Sequence, residues 1–149
     1  MGKSLSNICI TFKNLTVIFF FRLGSIGLPW QDIPLNIRAT IEDVLLLRIK
    51  EFTNIGLSGF LFGCIGMKYR WFDDARVRDE VYRRIIDLYG SDRINATDGK
   101  NLANIIYAMG KGGLTNNELS EEILKVLLEG VVSCKSSINA KNISNIIYG

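Results

Sequence analysis

Apolar positions recur at helical spacing along most of the chain. Leu102, Ile105, Ile106 and Met109 follow i, i+3, i+4, i+7, which gives a helix with one buried face. Val77, Val81, Ile85 and Leu88 mark another helix, and Leu119, Ile123, Leu127 and Val131 a third. Ile37, Ile41, Val44 and Arg48, with Leu45 beside them, follow similar spacing nearer the N-terminus. No stretch alternates apolar and polar residues long enough to predict a strand. Gly110, Gly112 and Gly113 stand where one helix should end, and Gly24 to Gly27 form the corresponding turn upstream; glycine there supplies positive φ at little cost. Asp32, Asp73, Asp74 and Ser120–Glu122 lie near predicted helix starts, where caps and acids are favoured.

These helices recur in pairs. Leu102-Ala-Asn-Ile-Ile-Tyr-Ala-Met-Gly110 is echoed by Ile143-Ser-Asn-Ile-Ile-Tyr-Gly149. Further copies run from Leu57 to Trp71 and from Thr16 to Trp30, and in both an aromatic precedes tryptophan by nine residues. The aromatic anchors Phe21, Phe62, Tyr107 and Tyr148 are spaced by 41, 45 and 41 residues. Repetition at that period predicts an all-α fold, an α-solenoid of two-helix units winding as a right-handed superhelix. The units span 14–52, 53–93 and 94–133, with a fourth begun at 134. Each has an A helix carrying the anchor and a B helix after it. The anchors, Trp30 and Trp71 read as packing residues between helices. The sequence stops at Gly149, a few residues into the fourth A helix and without a polar cap, so a fragment of a longer array is expected.

Composition narrows the chemistry. Apolar residues make up 48% and charged residues 22% of the 149, a folded and not a disordered balance. Histidine is absent, which removes Ser-His-Asp and Cys-His catalysis and imidazole-bound zinc. Cys9, Cys64 and Cys134 are far apart and read as buried thiols of a reducing compartment. Gly110-Lys-Gly-Gly-Leu-Thr115 lacks the spacing of a phosphate-binding loop. Neither catalysis nor a cofactor is therefore expected. The run Val17–Phe21 is too short to span a membrane, so no membrane insertion is expected. The first 31 residues hold Lys3, Lys13, Arg22 and no acid, and Met1–Ser6 fits the myristoylation pattern. Both signals are short and permissive.

Charge is distributed unevenly. The A segments (14–31, 53–71, 94–115, 134–149) contain seven cations and one acid, Asp98, whereas the B segments contain nine cations and fourteen acids. In a solenoid the A helices share one face, which would be basic and amide-bearing. Such a surface suits phosphates and exposed base edges of single-stranded RNA. The candidate contacts are Arg22, Lys68, Arg70, Lys100, Asn101, Asn104, Lys111, Lys141 and Asn145.

The phrase from Leu102 to Lys111 and its echo at Ile143–Gly149 resemble the A helices of organellar helical-repeat families. These are the heptatricopeptide and octotricopeptide repeats, the repeats accompanying the RAP domain, and the helical domain of RNA-editing substrate-binding complex proteins. The resemblance covers nearly the whole chain. It departs at Ile18 and Gly59 in the asparagine column and at Asn116 in the tryptophan column, and no RAP domain is present. It implies RNA binding in a mitochondrion or plastid, in RNA processing, stability or translation. The alternative is a protein-interaction scaffold or structural subunit of an organellar ribonucleoprotein, such as the mitochondrial ribosome or an editing complex.

Overall fold

The computed structural model describes residues 15–90, 94–115 and 117–149. Among these the chain is all-helical, with seven α-helices and no strand. They are α1 (15–25), α2 (Leu35–Arg48), α3 (Asn54–Met67), α4 (Ala75–Tyr89), α5 (Gly99–Lys111), α6 (Glu121–Ser133) and α7 (Ala140–Tyr148). Short 3-10 turns lie at Trp30–Asp32, Ile49–Glu51, Trp71–Asp73 and Lys135–Ser137. The terminal signals drawn from Lys3 and Lys13, the thiol of Cys9 and the tryptophan-column residue Asn116 lie outside the described residues.

Helix starts follow local chemistry. Thr53 accepts from the Gly56 N–H, Asp74 from Arg76 and Ser120 from Ile123, so α3, α4 and α6 each have a side-chain N-cap. Asn139 and Asn142 close a reciprocal capping box on α7.

Helix ends repeat more closely still. α1, α3 and α5 are each followed by a residue at positive φ, namely Gly27 (69°), Lys68 (52°) and Gly113 (93°). At each, the N–H of that residue reaches the carbonyl three back, at Gly24, Ile65 and Gly110. The next N–H, of Leu28, Tyr69 or Leu114, reaches five back, to Leu23, Cys64 or Met109. This is the Schellman geometry, and it occurs in matching register behind three aromatic anchors.

Odd and even helices form two rows. α5 packs against α3 and α7, α4 packs against α2 and α6, and α5 also contacts α6. Between α1 and α3 the backbones meet at small residues: a Cβ at Gly63 would collide with the Phe20 carbonyl oxygen. α5 and α7 meet in the same way, Gly149 lying against Ile106 and Tyr107. One apolar core runs between the rows, built from Phe20, Leu45, Phe60, Leu61, Val81, Ile85, Leu102 and Ile105 among others. Trp30 and Trp71 are buried in it, Trp30 against Tyr69 at 4.3 Å between ring centroids. Tyr69 in turn donates to Glu42 at 3.3 Å, and burial beside that carboxylate raises its pKa.

Two expectations about the core fail. Phe21 and Tyr148 are 50% and 76% exposed, and Phe62 and Tyr107 are only half-buried. Phe21 and Tyr148 therefore stand on the outer side of the odd row, while Phe20 and Leu61, each one residue before an anchor, turn inward. In α2 the buried residue is Leu45, followed by Ile49, while Ile37 and Val44 are exposed. α2 is at the edge of the described structure, so the side that α4 shows to α2 has no counterpart cover on α2 itself.

Candidate nucleic-acid interface

On an α-helix, residues at i, i+4, i+7 and i+11 stand above one another. Counted from the anchor, this places Lys100, Asn104, Tyr107 and Lys111 on one stripe of α5, and Lys141, Asn145 and Tyr148 on the matching stripe of α7. The two stripes are joined: Asn145 Nδ2 donates to Asn104 Oδ1 at 3.1 Å. The equivalent stripe of α3 is Ile55, Gly59, Phe62 and Gly66, and that of α1 contains Ile18, Phe21 and Ser25. Phe62 links the halves, its ring stacked on Tyr107 at 5.9 Å and 29°. The outer face of the odd row is thus apolar on α1 and α3, and basic, amide-bearing and aromatic on α5 and α7.

Five of the nine candidate contacts, Lys100, Asn104, Lys111, Lys141 and Asn145, fall on this second half. The three lysines are exposed, and among the described residues none forms an ion pair. Asp98, the one acid of the A segments, accepts a hydrogen bond from Asn54 and faces α3.

The other four candidates lie elsewhere. Arg22 is exposed on α1, in the column that Gly63, Ala108 and Gly149 occupy in later A helices. Lys68 forms the left-handed residue closing α3. Arg70 is already engaged: its Nε donates to Asp73 at 3.0 Å, its Nη2 lies 3.8 Å from Glu118, and its guanidinium sits 4.5 Å over the Phe72 ring. Glu118 also accepts from the Thr115 N–H and hydroxyl, and these bonds hold its carboxyl below the usual range. Arg70 therefore ties one A-to-B turn to the next. Asn101 lines an open cleft of about 330 Å³ with Asn54, Ile55, Arg84, Leu88 and Asp98.

No protein-family model, curated protein or solved structure matches the chain.

Tyr148, like Phe21, was expected to pack between helices and is exposed, whereas Tyr107 does stack between helices on Phe62. Tyr107 and Tyr148 each lie three residues after an asparagine of the stripe, an offset that keeps two side chains on one helix face. Among the described residues no cluster of three or more acidic, histidine or cysteine side chains could hold a metal. Cys64 and Cys134 are buried, and desolvation raises both thiol pKa values, which leaves them poor nucleophiles. No helix of the described residues is long and apolar enough to cross a membrane.

Proposed function

We propose that this chain is a section of a right-handed α-solenoid whose odd-helix face binds single-stranded RNA without catalysis. The observation carrying this reading is the paired stripe of α5 and α7. Lys100, Lys111 and Lys141, which form no ion pair among the described residues, flank two amides bonded to each other, a half-buried Tyr107 and an exposed Tyr148. Lysines supply sequence-independent attraction to phosphates. Tyrosine rings offer stacking platforms to unpaired bases, at roughly 1–3 kcal/mol per base. The matched Schellman turns and the Asn104–Asn145 and Phe62–Tyr107 contacts support the repeat arrangement. With the resemblance of the A-helix phrase, they also favour a role in organellar RNA processing, stability or translation.

The second reading, a scaffold within an organellar ribonucleoprotein, draws on different residues. Ile18, Phe21 and Ile55 are exposed on the odd row, as are Leu124, Leu128 and Val132 on α6. Exposed apolar groups gathered in this way suit a protein partner. Replacing Lys100, Lys111 and Lys141 together with serine separates the two. The RNA reading requires loss of RNA affinity with unchanged helicity; the scaffold reading predicts no change in RNA affinity.

A further inference from the structure

α6 is apolar on two sides. Ile123, Val126, Leu127 and Gly130 are buried in the fold, whereas Leu124, Leu128 and Val132 stand on the opposite side, 42%, 59% and 67% exposed. A helix that packs by one face has no use for a second apolar stripe within the fold, and a gathered one marks a contact surface. Beside the stripe, Leu128 and Val132 line an open groove of about 470 Å³ with Ile94, Glu129 and Ser133.

Charges frame the stripe. At 3.6 residues per turn, Glu121, Leu124, Leu128, Val132 and Lys135 fall within an arc of about 80°. Cys134 keeps a near-helical backbone (φ −90°, ψ 7°) into the 3-10 turn that begins at Lys135, so Lys135 continues the line of the helix. Glu121 and Lys135 are exposed, and among the described residues neither forms an ion pair. Each lies seven residues from Leu128, while Leu124 and Val132 each lie four residues from it. Read from either end, the stripe therefore has the same apolar spacing and the opposite terminal charge.

That symmetry selects the occupant. A second α6 laid antiparallel about a two-fold axis at Leu128 brings Leu128 onto its own copy and Leu124 opposite Val132. It also sets Glu121 beside Lys135 at both ends, which is the self-complementarity that a two-fold interface requires. A parallel arrangement would bring like charges together at each end. We infer that the exposed stripe of α6 is a self-association surface, on which a second copy of this chain docks antiparallel. One helix pair buries less than the roughly 1,200 Å² at the lower limit of a standard interface, so the dimer is reversible, with a micromolar dissociation constant. The surface lies on the even row and is tested separately from RNA binding on the odd row.

Sedimentation velocity of the whole chain across a micromolar concentration series, at low salt, tests the inference. The expected result is a concentration-dependent dimer that Leu128→Lys weakens by about tenfold or more with unchanged helicity. Glu121→Lys and Lys135→Glu should each weaken it by about threefold, because like charges then meet twice. An equimolar mixture of those two variants should regain the dimer, because the mixed pair again brings opposite charges together at both ends. If Leu128→Lys loses helicity, Val132→Lys replaces it. A chain that stays monomeric throughout would overturn the inference. So would a dimer indifferent to the lysine on the stripe, or a mixture that associates no better than either charge variant alone.

Discussion

Asn104 and Asn145 occupy the same place in successive odd helices, and the amide of the second donates to the carbonyl oxygen of the first at 3.1 Å. A residue type repeated at a fixed interval on a solenoid face can serve a ligand or the stack itself. Here each asparagine has donors and acceptors left after the bond is made, so the pair can fix the spacing of α5 and α7 and still present polar groups outward.

The stacking half of that role has its own consequence. Asn104→Ala and Asn145→Ala should each lower stability by about 1 kcal/mol, and the double variant should lose less than the sum. A double-mutant cycle by urea denaturation checks this. Strict additivity would show that the two amides do not support one another.

Lys68 stands at φ 52° where the equivalent residues Gly27 and Gly113 are glycine. An L-residue in that conformation is disfavoured by roughly 1–2 kcal/mol, partly offset by the greater chain entropy glycine loses on folding. Lys68→Gly should therefore stabilise the protein, by up to about 1 kcal/mol, and Gly113→Ala should destabilise it by about 1 kcal/mol or more. Thermal melts of the two variants should move in opposite directions.

Much of the fold was legible because helical spacing is local. The stripes Val77–Val81–Ile85 and Leu102–Ile105–Met109 are buried as their periodicity requires. What spacing cannot show is which neighbour covers a stripe. Ile37 and Val44 fit a helical face but lie exposed at the α1–α2 edge. Phe21 and Tyr148 look like core because they are aromatic and repeated, yet the backbones of the odd helices approach so closely at Gly63 and Gly149 that the anchor beside each contact is directed outward. The candidate site divided for a related reason. Sequence assigned cations to a helix type, whereas the side of the helix, and a partner such as Glu118 from the next unit for Arg70, depends on three-dimensional packing.

Acid should weaken the fold at its turns. Asp74 is held below the usual carboxylate range by the Arg76 side chain and backbone, and Glu118 by Thr115. A carboxyl with a lowered folded pKa contributes stability that is present above the ordinary carboxylate range and lost as pH falls through the lowered value. Urea midpoints should thus fall between neutral pH and about pH 3. The fall should be smaller in an Asp74→Asn, Glu118→Gln double variant, which retains hydrogen-bonding groups but cannot titrate there. An equal fall in both proteins would assign the acid sensitivity to other carboxylates.

The central claim concerns Lys100, Lys111 and Lys141, and the salt dependence of RNA binding tests it most directly. Fluorescence anisotropy with a labelled single-stranded RNA gives the affinity across a salt series, and its log–log slope reports the number of phosphates neutralised, at about 0.7 per contact. The account predicts steep weakening with salt for the natural chain, and a slope shallower by about 2 for the Lys100→Ser, Lys111→Ser, Lys141→Ser variant. Identical slopes and affinities for the two proteins would contradict it.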